Sequence, residues 1–264
     1  MNSKIFQKIN SLPPLPKSVL EVQRITNDPN SSIKDLVKII KEDPMLTANL
    51  LKVANSPLYG FAREIKSVDQ AVSLFGMTPI KGFVISFAVR NSIKFDLSTY
   101  GITENFFHDI SIKRNALAFN WYKGNKKIDS IATDAFLLDL GAVIISLVLV
   151  SENKADEFKN KLTKENRDEL EKEYVGTTTL EITYEIFKHW HFSDELIKPL
   201  KNLISNEKNH EYLEESYALD VIRTMFNMLG EDEEDYKKAI EKAKKYNLNV
   251  EKLNKAFKVI QEGN

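Results

Sequence analysis

The chain has 264 residues, of which 42% are hydrophobic and 28% are charged, and its formal net charge is -1 at pH 7. That length and apolar content suffice to bury a core, whereas a near-neutral chain lacks the clustered excess of Lys and Arg that nucleic-acid binding needs. Because there is no cysteine, disulfides, iron–sulfur clusters and thiolate zinc sites are excluded.

Helix-start signals recur through the first part of the chain. Leu12 to Pro16 is a stiff, extended entry to a helix, and Ser32 with Asp35 three residues later forms a capping-box pattern. Ser67 with Gln70 repeats that pattern, and Gly76 ends the helix that follows. With apolar residues at helical spacing, these signals predict helices at about 16–27, 32–42, 44–55, 67–76 and 79–93.

The second part of the chain is also predicted to be helical. A long helix is expected from Glu104 to Tyr122, and the charged stretch from Ser151 to Tyr174 is interpreted as solvated helix. Further helices are predicted at about 194–204 and 214–229, followed by a final pair that begins in the acidic run EDEED.

The most apolar run is Asp134 to Val150, DAFLLDLGAVIISLVLV. Its β-branched tail could form a strand by propensity alone, but we interpret the run as helix because it continues a helical start and has no partner strand. At 135–150 it is shorter than the roughly 18 residues that span a bilayer. The N-terminus lacks the apolar core of a signal peptide, so we expect a soluble, cytoplasmic protein with no membrane partner.

These elements predict an all-α, two-lobed helical bundle. The expected lobes are residues 1–100 and 101–230, with a C-terminal helical extension at 231–264. Asp139 raises the main question, because a buried carboxylate must be hydrogen-bonded, neutralised or bound to a cation.

An ordered set of segments resembles the HDOD family, a bacterial all-α family related to HD-domain phosphohydrolases. The segments are LPPLP at 12–16, DPMLTANLLKVANSPLYG at 43–60 and IKSVDQAVSLFG at 65–76. The resemblance runs from about Leu12 to Leu229 and is dense over 43–76. It implies an HD-domain-like second lobe and a role in signal transduction.

The resemblance also implies that the metal-ligand set of HD-type hydrolases is degenerate here. His108 aligns with the first ligand His and Asp139 with the Asp of the His-Asp pair, but Leu138 stands where the paired His is expected. The other ligand positions fall at Thr177–Thr179, Leu203-Ile204 and Asn227. We therefore expect no catalytic residue, no metal and no cofactor. His108 and Asp139 are candidate remnants, which either form a buried pair or do not touch.

We interpret the chain as a non-catalytic regulatory protein that binds a protein partner or a small signalling ligand. In the loop from Asn55 to Arg63, the candidate partner-binding residues are Tyr59, Phe61 and Arg63, because these residue types are enriched at interfaces. The alternative is that Tyr59 and Phe61 pack between the lobes.

Two other functions stay open at this point. One is a metal-dependent HD-type phosphohydrolase that acts on a nucleotide or cyclic dinucleotide. The other is nucleic-acid binding through a local basic patch such as Lys123 to Lys127, although no nucleic acid is expected overall.

Overall fold

A computed structural model describes residues 3–28, 30–92 and 96–263. Every regular element in these ranges is helical, and none of them pairs as a strand, which confirms the all-α class. The β-branched tail of the apolar run is helix as well, and most of its side chains are buried, although Val150 is 38% exposed.

The helices of the first part of the chain match the predicted ones, with one addition at the N-terminus. They are α1 (Ser3–Asn10), α2 (Lys17–Asn27), α3 (Ile33–Glu42), α4 (Pro44–Ala54), α5 (Val68–Phe75) and α6 (Met77–Ser92), with short 3-10 turns at Pro57–Tyr59 and Ser98–Tyr100. The addition, α1, was not predicted; only Ile5 and Ile9 of its eight residues are buried.

Both capping patterns of this part are confirmed. The Asp35 carboxylate accepts a hydrogen bond from the Ser32 backbone N–H at 2.8 Å. The Ser67 hydroxyl accepts one from the Gln70 backbone N–H at 3.2 Å. These local contacts satisfy N–H groups that have no partner inside the helix, so they fix where α3 and α5 begin.

The second part of the chain contains ten helices among the described residues. They are α7 (Glu104–Trp121), α8 (Ile128–Leu137), α9 (Gly141–Ser151), α10 (Ala155–Lys161), α11 (Arg167–Val175), α12 (Thr179–His189), α13 (Asp194–Ile204), α14 (Leu213–Met225), α15 (Glu233–Lys245) and α16 (Val250–Glu262). A 3-10 turn spans His210–Tyr212. The apolar run is therefore two helices rather than one, and Asp139 lies in the turn between them.

The chain forms two compact units that are not continuous in sequence. Unit 1 comprises Met1–Pro13, Lys94–Ser111 and Leu137–Leu248; unit 2 comprises Pro14–Ile93, Ile112–Phe136 and Asn249–Asn264. The predicted lobes 1–100 and 101–230 and the predicted C-terminal extension 231–264 stay predictions. Within unit 2, α16 packs on the Pro57–Tyr59 turn.

Unit 2 has an aromatic core around Tyr59. The Tyr59 ring lies edge-on to Phe75, Phe83 and Phe119, with ring centroids 4.9, 6.0 and 5.8 Å away. Its hydroxyl donates a buried hydrogen bond of 2.9 Å to the side-chain oxygen of Asn115. Edge-to-face packing with a satisfied hydroxyl is a favourable way to bury a tyrosine.

Unit 1 is built around α9, which packs against α1 and α12. Gly141, the first residue of α9, donates its backbone N–H to the Thr183 hydroxyl at 2.9 Å. A side chain at Gly141 would overlap the Thr179 carbonyl oxygen and come within 2.9 Å of the Thr183 nitrogen. The close approach of α9 to α12 therefore requires glycine at this position.

Within the described residues, one stretch, Ile128–Ser151, is long and apolar enough by length and composition to span a membrane. It comprises α8, the turn after α8 and α9. Of its most apolar 18 residues, 89% are buried inside the protein. A buried core helix passes the same test, so this stretch is consistent with a soluble protein.

Gly141→Ala should lower the free energy of unfolding by about 3 kcal/mol, because the added methyl meets backbone atoms of α12 that cannot move independently. Urea denaturation of the wild-type and variant proteins measures the difference. Gly124→Ala is the matched control. Gly124 has a φ of 81° and nothing within 4 Å of an added Cβ, so only a backbone cost of about 1 kcal/mol is expected there. Equal losses for the two variants would contradict the proposed close approach.

Candidate functional site

The buried carboxylate of Asp139 is neutralised by two arginines of the same unit. Asp139 is 1% exposed. Its Oδ1 lies 3.3 Å from Nε of Arg223 on α14 and 3.5 Å from Nη2 of Arg167 on α11. Two guanidinium groups thus supply the cationic surroundings that a carboxylate needs in an apolar segment.

Arg223 also holds a second carboxylate, that of Asp168. Its Nη2 lies 2.9 Å from Asp168 Oδ1, and its Nη1 lies 3.3 Å from Asp168 Oδ2. This is the two-pronged geometry in which arginine binds a carboxylate most strongly. Arg223 therefore bridges Asp139, at the start of α9, to Asp168 on α11.

Arg167 is the more deeply buried of the two arginines, with 5% of its surface exposed. Burial acts to lower the pKa of its guanidinium, but the carboxylates of Asp139, Glu171 and Asp168 outweigh burial and hold the pKa above its ordinary value. Its Nη1 has no hydrogen-bond partner among the described residues. Arg167 is therefore always charged, and its Nη1 can still donate a hydrogen bond.

Glu171, one turn after Arg167, is fully buried. It accepts hydrogen bonds from the Tyr100 hydroxyl at 2.9 Å and from the Thr179 backbone N–H and hydroxyl at 2.6 and 2.7 Å. Burial raises the pKa of Glu171 to about 7, against the opposing influence of Arg167 and of the Thr179 hydrogen bonds. Near neutral pH this carboxyl is therefore ionised in only part of the molecules.

The burial of Arg167 and Glu171 corrects the interpretation of 151–174 as a solvated helix. The buried positions of α11 are Arg167, Leu170, Glu171 and Val175. They recur at helical spacing, so α11 does have an inward face, but two of its four members are charged. A search for helical periodicity that included charged residues could have found this face; a search for apolar residues alone could not.

The sequence-predicted metal positions do not assemble into an HD-type centre. Leu138 is fully buried beside Asp139, and the Asn227 side chain accepts a hydrogen bond from the Leu229 backbone N–H at 3.0 Å. Across the described ranges, no group of three or more His, Asp or Glu side chains is placed to hold a metal ion. The two arginines at Asp139 would also repel a divalent cation, so the residues present do not fit this metal.

His108 is half-buried on α7. Its contact with Asp139 stays a prediction. Its neighbour in sequence, Asp109, is exposed.

The predicted partner-binding residues fall in different environments. Tyr59 is 1% exposed in the aromatic core of unit 2, and its contact with a partner stays a prediction. Phe61 is half-buried, with its ring 5.2 Å from that of Phe75. Arg63 is exposed, and together with Phe61 and Leu74 it lines a groove of about 620 Å³ in unit 2.

The chain has relatives in sequence and in structure. A sequence model of the HDOD domain matches residues 12–203. An uncharacterized protein from Treponema pallidum (strain Nichols) is 30% identical over 84 residues, which are 32% of this chain. The chain spans only 16% of the length of that curated relative.

Three crystal structures share the fold. A virulence factor from Campylobacter jejuni subsp. jejuni is 27% identical, with 98% of this chain and 95% of that chain covered and a TM-score of 0.59. A candidate phosphohydrolase from Shewanella amazonensis SB2B is 20% identical, with 99% and 96% covered and a TM-score of 0.67. A candidate signal transduction protein from Marinobacter aquaeolei VT8 is 18% identical, with 98% and 59% covered and a TM-score of 0.70.

Asp139→Asn should lower the free energy of unfolding by about 3 kcal/mol, because the substitution leaves two buried or half-buried guanidinium groups short of one counter-charge. Chemical denaturation monitored by circular dichroism measures the loss. Asp109→Asn, at an exposed position of α7, should change stability by less than about 0.5 kcal/mol. If Asp139→Asn changed the free energy of unfolding as little as Asp109→Asn, the ion pairs with the two arginines would not stabilise the fold.

Proposed function

Because the chain belongs to the HDOD domain family, we propose that it is a non-catalytic regulatory protein in signal transduction, which acts by binding a protein partner or a small signalling ligand. The HDOD domain is related to HD phosphohydrolases and to signal transduction proteins. The observation that carries the proposal is the pairing of Asp139 with Arg167 and Arg223.

The chemistry of HD-type hydrolysis explains why this pairing matters. Such a reaction needs a metal ion that activates a water molecule and polarises the phosphate ester. A guanidinium group can neutralise Asp139, but it has no vacant coordination position at which to bind and acidify water. With Leu138 in place of the paired His, the site retains a buried anion and its counter-cations without a set of metal ligands.

The proposed surface for a protein partner is the groove of unit 2 lined by Phe61, Arg63 and Leu74. Leu74 is 48% exposed, and Arg63 is exposed beside it. Phe61 lines the groove with its ring 5.2 Å from that of Phe75 in the aromatic core. Arginine and aromatic residues are enriched at protein interfaces, which supports this groove as a binding surface.

The metal content of the purified protein tests the non-catalytic part of the proposal. We expect elemental analysis to find less than about 0.1 equivalent of Mn, Fe, Ni or Zn, and no phosphate release from a nucleotide or a cyclic dinucleotide, since Asp139 is already neutralised by arginines. His108→Ala should leave both results unchanged. A stoichiometric metal that is lost in His108→Ala would instead establish a metal-dependent hydrolase.

Variants of the groove test the partner-binding part. Arg63→Glu and Leu74→Glu should abolish the specific retention of a partner in a pull-down from the native cell, because they reverse a charge and insert one into the apolar lining. Phe61 is left unchanged, since it also supports the core. Met45→Glu, at a methionine that is 66% exposed and does not line the groove, should retain the same partner. Retention by all three variants would rule out this groove as the binding surface.

A further inference from the structure

We propose that a pocket in unit 1, formed by α11, α14 and α15 and the residues just before α11, binds a small phosphate-bearing molecule. We call it the basic pocket, after six residues that line it: Lys164, Arg167, Arg223, Lys238, Lys242 and Lys245. Its volume is about 580 Å³, which is enough for a small metabolite. The inference rests on the proposed function, because it names the class of the small signalling ligand.

The cations of α15 are arranged as a stripe along one face of the helix. Lys238, Lys242 and Lys245 are separated by four and three residues, which places them side by side. Lys242 is held by Asp220 at 2.8 Å. In the described part of the chain, Lys238 and Lys245 are exposed and form no ion pair, so their charges are available to an anion.

The two arginines bring buried donors to the same pocket. Arg167 lines the pocket with 95% of its surface buried, and its Nη1 lacks a hydrogen-bond partner among the described residues. A buried N–H donor without a partner is rare in native proteins and usually indicates a missing water, ion or ligand. A phosphate oxygen is a suitable acceptor for it.

The bond between Arg223 and Asp168 is one that an anion could replace. The Asp168 side chain is 48% exposed whereas Arg223 is 14% exposed, so Asp168 is the partner that can turn into solvent. It would then also leave Arg167, whose Nε lies 3.5 Å from Asp168 Oδ1. A phosphate group offers the guanidinium fork the same paired acceptors with a larger charge. Ligand binding would then leave the pair of Arg223 with Asp139 in place.

The acidic residues that line the pocket do not neutralise the charges of its buried and partly buried arginines. Asp220 and Asp235 are engaged with Lys242 and Lys164. Glu165, Glu169 and Glu241 are exposed, so salt and water screen their charges most strongly. The partly buried guanidinium groups are screened least and would dominate the recognition of an anion.

A smaller pocket of about 220 Å³ adjoins the basic pocket and shares Asp168, Asp220 and Arg223 with it. Its lining includes Leu213 and the rings of Tyr217 and Tyr246, which stack 4.1 Å apart. A ligand with its phosphate at Arg223 would therefore find apolar and aromatic surface within reach for an organic group.

Titration calorimetry with pyrophosphate, at low salt and with a chelator present, tests the proposal. The wild-type protein should bind one equivalent, and Lys238→Gln combined with Lys245→Gln should weaken binding at least tenfold while leaving thermal stability unchanged. Arg223→Gln should abolish binding. Lys255→Gln, at an exposed lysine of α16 in unit 2, is the matched control and should bind like the wild type.

The proposal is overturned if the wild-type protein does not bind pyrophosphate, or if the double lysine variant binds as tightly as the wild type. The double variant decides the matter even if Arg223→Gln fails to fold, because both lysines are exposed and unpaired within the described chain. The chelator removes free divalent metals, so binding is measured independently of the metal analysis. A metal-dependent hydrolase activity would therefore overturn the proposed function. It would not decide whether pyrophosphate binds to the basic pocket, which the titration measures on its own.

Discussion

The charge of Asp139 sets a constraint that three helices of unit 1 jointly satisfy. The carboxylate lies in the turn between α8 and α9, inside the most apolar segment of the chain, where an uncompensated charge would cost several kcal/mol. Arg167 of α11 and Arg223 of α14 both reach it. Because each guanidinium has a fixed planar shape, these contacts also restrict how α11 and α14 can pack against the start of α9. Gly141, two residues later, imposes a similar constraint on α12 through its lack of a side chain.

The same pairing supports the proposal that this chain is not a metal-dependent hydrolase. A metal ion and a guanidinium group can both neutralise a buried carboxylate, but only the metal can also bind a water molecule and lower its pKa. In that proposal, the arginines at Asp139 take the place of a metal ion as its counter-charge. The chain shares its fold with the solved structures from Shewanella amazonensis SB2B and Marinobacter aquaeolei VT8, and a fold does not by itself determine an activity.

Arg223 connects this buried pairing to the surface. On its inner side it contacts Asp139, and on its outer side it contacts Asp168 at the basic pocket. Glu171 is buried in the same cluster, and burial raises its pKa to about 7. A ligand that exchanges with Asp168 would thus act on a residue that already ties α14 to α9.

The sequence by itself determined most of the helices, because their signals are local. Ser32 with Asp35 and Ser67 with Gln70 act over three residues, and the family-like segments at 43–60 and 65–76 could be identified without tertiary information. The tertiary structure alone decided which side chains meet. Arg223 reaches Asp139 across 84 residues, Arg167 and Glu171 are buried in a stretch that is rich in charge, and Tyr59 belongs to an aromatic core rather than to a surface. Periodicity specifies that a helix has faces, but the free energy of burying a given face depends on partners that come from distant parts of the chain.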